Sequence, residues 1–235
     1  MCSFPIHFYN YIKTSYELCN PNYVAAFFPF LSTVFSIIVY PWVFPINEKF
    51  VTYVRKNGVI RFIKYQPGLL FTPFIMAFVY PSSNKTLRLS PLKILEGIIF
   101  VDTEEYFRHR LEHIFSRVYK KVHKEHHQQR PITTMESFRN SVHDLLIPII
   151  PFTIYTQMSD VTFIETMVVT SMAIIATYAD HTLTGDKKYD KIKFHNIHHT
   201  SGWNNNFQQP FFSYWDSILG TKFLGGKSKY NPFIP

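Results

Sequence analysis

His109-Arg110-Leu111-Glu112-His113, His123-Lys124-Glu125-His126-His127 and His195-Asn196-Ile197-His198-His199 hold eight of the chain's eleven histidines. The two triplets share the spacing His-x2-His-His and lie about seventy residues apart. Neutral imidazole is the commonest metal ligand in proteins. On a helix, positions i, i+3 and i+4 share a face, with Cβ atoms about 5–6 Å apart. Each cluster can therefore turn two or three ring nitrogens toward one point, which makes helices the natural carriers. Eight such nitrogens exceed the four that one zinc ion usually takes. The simplest reading is two metal ions held almost wholly by histidine.

Other uses of these residues fit less well. His109-x2-Glu112-His113 matches the inverted zinc-peptidase motif, with Glu112 as general base. That reading leaves six clustered histidines without a role. Cys2 and Cys19 supply neither a disulfide framework nor a CxxC knot. Zinc fingers are excluded for lack of thiolates, and no Gly-x-Ser-x-Gly elbow is present. Nitrogen ligands suit zinc, copper, iron and nickel alike. His7 stands outside every cluster and is assigned nothing.

Outward from the clusters, 235 residues suit one domain. Phe alone counts 24 and aromatics make up 18%. Long uncharged runs alternate with segments rich in Lys, Arg and His. The net charge of +8 gathers beside apolar runs rather than in one stripe, which fits a membrane surface better than nucleic acid. No removable signal peptide is read at the N-terminus.

Leu18 to Asn47 is thirty residues without a charge or a histidine, and about twenty apolar residues span a bilayer. A second uncharged run covers Tyr65 to Asn84. Ser90-Pro91 reads as a helix start, Ser as N-cap and Pro at the first helical position, and that helix continues into His109. Leu145 to Ser159 is uncharged, and Asp160 is read as the cap of the apolar helix that ends before Asp180-His181. Lys and Arg are dense over 49–64, 108–130 and 187–193. The positive-inside rule puts these on the cytosolic side. Five crossings follow: inward over 24–46, outward over 66–82, inward over 91–107, then a hairpin out and back over 145–179. All histidine clusters then share the cytosolic face. The competing reading is a soluble α-helical protein with a large core.

The run Asp102-Thr103-Glu104-Glu105-Tyr106-Phe107-Arg108-His109-Arg110-Leu111-Glu112-His113 resembles the fatty acid hydroxylase superfamily. So does Val118-Tyr119-Lys120-Lys121-Val122-His123-Lys124-Glu125-His126-His127, with Pro131 shortly after. The likeness is strongest to methylsterol oxidases and sterol desaturases. His143 and His181 match further family histidines, and Asn206-Phe207 and Trp215-Asp216 with Gly220-Thr221 resemble the family's closing signature. The resemblance covers about residues 90 to 222. Two departures stand out. His113 lacks a second adjacent histidine, and the stretch from Thr200 to Tyr214 is long and has no glycine after Asn206.

The resemblance implies an all-α integral membrane enzyme with two iron ions, zinc being a substitute on isolation, and O2 as co-substrate. It implies hydroxylation or desaturation of a sterol or fatty acyl lipid. The implied ligands are His109, His113, His123, His126, His127, His181, His195, His198 and His199, with His143 as a tenth. Asp102, Glu105, Asp180 and Asn206 are candidates to orient the imidazoles. Glu165, near the start of its apolar run, is read as reaching the membrane interface. Residues 1–89 are expected to anchor, 90–222 to form the catalytic domain and 223–235 a tail. Chain length argues against a fused haem or flavin domain. Electrons would come from a b-type cytochrome or similar donor with its NAD(P)H reductase, and an endoplasmic reticulum location is expected for a eukaryotic chain. The rivals are a metal-binding membrane protein without oxygenase activity and a membrane zinc hydrolase. Substrate and reaction outcome stay open.

Overall fold

A computed structural model describes residues 88–128, 141–181, 194–195, 197–199, 204–207 and 211–223. The crossings expected over 24–46 and 66–82, the basic segments 49–64 and 187–193, His7 and the tail from 224 lie outside these residues. Among the described residues the fold is all-α, without strands.

Helix α1 runs unbroken over Pro91–Ile114 and carries the first histidine pair on its last two turns. Its start is the one the sequence announces, with Ser90 as N-cap and Pro91 behind it. The Ser90 side chain makes no cap hydrogen bond; instead its backbone N–H donates to the Glu165 carboxylate, at 2.7 Å. A short segment follows: α2 (Ser116–Val118), a π-helical turn over Tyr119–His123, and α3 (Lys124–His127). The π turn inserts an extra residue, with Lys124 N–H donating to the Tyr119 carbonyl. Such turns are often found at functional sites.

Helix α4 (Val142–Leu146) starts at Ser141, whose side chain accepts from Asp144 N–H. Helix α5 (Ile149–Met158) follows after a break at Ile147-Pro148. Helix α6 covers Phe163–Asp180 and α7 covers Tyr214–Ile218. Asp160 does not cap α6. It sits in the preceding turn with φ 47°, and Thr162 is the cap. Thr162 and Glu165 form a reciprocal capping box, in which two orphan N–H groups of the first turn are satisfied at once. Glu165 is buried and also pairs with Arg88. It therefore ties the starts of α1 and α6 together rather than reaching outward.

Helices α1 and α6 form the main packed pair. Gly97 sits where they meet. A Cβ there would come within 2.8 Å of Val169 Cγ2, so only the absent side chain permits this approach. Among the described residues α6 is the one helix long and apolar enough to cross a membrane. Helix α1 is longer but holds Lys93, Glu96 and Asp102 within its first half.

Candidate metal centre

The three histidine clusters converge and join His181. They do so in two groups: His109, His113, His123, His127 and His198 in one, and His126, His181, His195 and His199 in the other. Helical geometry decides the partition. Each pair four residues apart, 109/113, 123/127 and 195/199, stays within one group. The odd member of each triplet turns to the other group. Box two sends His126 away from its pair, and box three sends His198 across in return. A triplet thus does not aim three rings at one point, as i, i+3, i+4 spacing alone would allow. It bridges two points.

All nine rings are buried except His113, which is partly exposed. In the five-histidine group the Nε2 atoms of 113/127, 109/123, 123/127 and 127/198 lie 3.1, 3.0, 3.0 and 3.2 Å apart. In the four-histidine group 126/181, 181/195 and 195/199 lie 3.3, 3.0 and 2.9 Å apart. Metal–imidazole bonds of about 2.0–2.1 Å meeting at right angles put neighbouring nitrogens about 3 Å apart. The spacing is that of ligands around an ion.

Tautomers test this fit. His109 Nδ1 lies 2.9 Å from the Phe207 carbonyl, His198 Nδ1 2.6 Å from the Asn205 carbonyl and His181 Nδ1 2.7 Å from the Thr177 carbonyl. A carbonyl only accepts, so each Nδ1 carries the proton and each Nε2 a lone pair. His123 Nδ1 likewise faces carboxylates, Asp144 Oδ2 at 3.2 Å and Glu112 Oε2 at 3.4 Å. With Asp144 and Glu112 ionised, the Nε2 atoms of His109 and His123 oppose lone pair to lone pair at 3.0 Å. That contact is repulsive unless a cation lies between them. Protonation does not supply one. Burial, reinforced by neighbouring histidines, pushes the His109, His123 and His199 pKa values well below the ordinary range. Burial takes His113 to about 2 and His181 to about 4. The donor set fits metal ions.

Behind the five-histidine group lies a buried charge network. Arg108 bonds Glu112 at 2.7 Å and Asp144 at 3.3 Å, and pairs with Glu104 and Glu105. Burial works against the Arg108 charge, yet the four carboxylates outweigh it and hold its pKa well above the ordinary value. Glu112, His123 and Asp144 could themselves cradle a cation, but the guanidinium already occupies that place. Glu112 also faces the Nδ1 edge of His123, away from the converging Nε2 atoms. A zinc-hydrolase base would need the opposite placement.

The expected orienting residues take different parts. Asp102 accepts from the Phe211 and Phe212 N–H groups and so holds the loop before α7. Glu105 pairs with Arg108 and comes only within 3.9 Å of His109 Nδ1. Asp180 is buried at the end of α6. Asn206, with φ 59°, donates to the Phe194 and Phe223 carbonyls and accepts from Phe223 N–H. His143 is exposed on α4 and belongs to neither group. Its neighbour Asp144 is the residue that reaches His123. The sequence reading does not single out Asp144, or the contact of Glu112 with His123 Nδ1.

The fatty acid hydroxylase family matches residues 94–221. The chain is 34% identical over 146 residues to the sphingolipid C4-hydroxylase of Saccharomyces cerevisiae, covering 58% of this chain and 42% of that enzyme. It is 29% identical over 193 residues to sphinganine C4-monooxygenase 1 of Arabidopsis thaliana, covering 75% and 74%. It is 25% identical over 231 residues to the cholesterol 25-hydroxylase of Rattus norvegicus, covering 82% and 76%. The chain thus spans less than half the length of the yeast enzyme. No solved structure matches it. A continuous helix feeding the first pair, two bridging triplets and a match running from Ile94 to Thr221 lead to one conclusion: the chain belongs to the fatty acid hydroxylase family.

Proposed function

We propose that this chain is an O2-dependent lipid hydroxylase of the membrane, with a two-iron centre in its paired histidine groups. The observation that carries the reading is the set of converging Nε2 atoms about 3 Å apart in two adjoining groups. His109, His113, His123, His127 and His198 hold one ion, and His126, His181, His195 and His199 the other. Iron with dioxygen supplies the oxidising power that an unactivated C–H bond demands. The chain's own residues do the rest. The Phe207, Asn205 and Thr177 carbonyls keep the protons on Nδ1. Asp144 and Glu112 balance charge beside His123. Tyr106, Phe207 and Trp215 pack as an aromatic wall next to His109 and exclude water.

The matched relatives are named for hydroxylation of sphingoid and sterol lipids, and a long-chain sphingoid base is the substrate to try first. Residues 90–222 form the catalytic unit, 1–89 the anchor and 223–235 a tail. Exposed apolar residues favour a bilayer setting. Leu92, Leu95 and Ile99 face outward on α1, as do Ile150, Ile154 and Met158 on α5. Basic residues Lys120, Lys121 and Lys124 beside the second box suit an acidic donor such as a b-type cytochrome with its reductase. By the positive-inside rule they favour a cytosolic histidine face, at the endoplasmic reticulum in a eukaryote.

The test is metal analysis of detergent-purified protein, with lipid profiling of cells with and without the chain. Two metal ions per chain and an oxygen-dependent hydroxylated lipid are expected. Turnover that continues without oxygen would move the assignment to hydrolysis. Two bound ions with no change in any lipid would favour a metal-binding protein without oxygenase activity.

A further inference from the structure

The closing signature of the chain lies behind the five-histidine group. Asp216 Oδ1 accepts from Phe207 N–H at 2.9 Å and from the Thr221 hydroxyl at 2.7 Å. The Phe207 carbonyl in turn accepts from His109 Nδ1. Two residues earlier, the Asn205 carbonyl accepts from His198 Nδ1. One short segment, 205–207, thus presents two carbonyls to two histidines of the same group.

That segment is held from several sides. Asn206 takes a left-handed backbone conformation with its N–H on the Thr221 carbonyl. Its side chain grips Phe194 and Phe223. Thr221 also meets the Tyr106 hydroxyl, on the same helix as His109. The turn that follows Asp216 is closed by its backbone, since Thr221 N–H and Lys222 N–H both donate to the Asp216 carbonyl. The turn therefore does not need the Asp216 carboxylate. That group is committed to Phe207 and Thr221, at 0% exposure.

We propose that Asp216 is a positioning residue for the five-histidine ion: it fixes the Phe207 amide, and through it the carbonyls that hold His109 and His198 with Nε2 toward the metal. The inference rests on the proposed two-metal reading. It predicts that losing the carboxylate weakens one ion and spares the other, although Asp216 touches neither group directly.

The experiment titrates full-length, metal-free protein in detergent with Co(II), following stoichiometry by dialysis and coordination by d–d absorption. Wild-type protein should take up two ions; if it takes up none, the two-metal reading fails and this inference with it. Asp216→Ala should weaken one ion about 10–100-fold, the usual scale for an outer partner of a ligand, and leave the other within about threefold. Asp216→Asn keeps an acceptor oxygen for Phe207 N–H and should restore most of the affinity. His199→Ala protein, expected to retain the five-histidine ion, should lose that ion when Asp216→Ala is added. If Asp216→Ala does not fold, Thr221→Val removes the hydroxyl that braces the carboxylate and should shift the same ion in the same direction by less. Two unaltered ions in Asp216→Ala, or equal weakening of both, would overturn the inference while leaving the two-metal reading intact. An unshifted Thr221→Val spectrum would also overturn it.

Discussion

The five-histidine and four-histidine groups share helices but not surroundings. The first has a partly exposed member, His113, and a dense polar backing. Asp144 and Glu112 stand behind His123, Arg108 behind both carboxylates, and the 205–207 carbonyls behind His109 and His198. The second is buried throughout. Its clearest orienting bond is local, from His181 to the Thr177 carbonyl one helical turn earlier. One group is thus positioned by distant parts of the chain and carries a spare ligand. The other has four imidazoles, against five in the first.

The largest expected effect follows from that count. His199→Ala or His126→Ala leaves three imidazoles in the smaller group and should abolish both its metal and lipid product. His113→Ala leaves four in the larger group, so its ion should persist at reduced affinity. Metal analysis of the two purified variants decides this, and equal loss in both would break the asymmetry.

Acid should act on both groups next. Unfolded histidines bind protons near pH 6.5, while burial holds His181 to about 4 and His113 to about 2 in the folded chain. The folded pKa values lie below the unfolded ones, so the unfolded chain binds more protons as pH falls. Stability is present above about 6.5 and is lost on acidification, by about 1.4 kcal/mol per pH unit for each such histidine. Melting curves of metal-free protein from pH 7.5 to 5 should show a steep fall. A flat profile would mean that these rings are not buried neutral.

Glu112→Gln probes the polar backing. As an outer partner of His123 its loss should cost about 10–100-fold in metal affinity or activity, confined to the five-histidine ion. A peptidase base would instead be indispensable. Asp144→Asn should act similarly, and if it matched His199→Ala the contrast drawn above would need revision. The smallest effect belongs to His143→Ala. That ring is exposed and outside both groups, so metal content should stay at two and stability should change within about 0.5 kcal/mol.

Much of this centre could be read from residue spacing. The pairs four apart had to share a helix face, and the Ser90-Pro91 start and the unbroken run to His113 follow from local rules. What spacing could not give was the division of each triplet. That depends on how the helices are rotated against one another, and on the π turn at Tyr119–His123, which no periodicity announces. His143 and Asp144 show a second limit. Adjacent residues on a helix point about 100° apart, so a motif that flags one can be satisfied by the other. Glu165 and Asp160 show a third. Both were acids beside an apolar run, and only the fold reveals that Glu165 closes two helix starts while Asp160 sits in a turn.

The crossing-over of His126 and His198 also divides the centre in time. Synthesis proceeds from the N-terminus, and four members of the larger group are present once His127 has been made. The smaller group then consists of His126 alone. Its other three members, His181, His195 and His199, arrive more than fifty residues later. The larger group, in turn, is completed only by His198, from the same late turn that finishes the smaller one. A nascent chain therefore holds four of the larger group's five imidazoles before the smaller group gains its second, and a single late helical turn completes both.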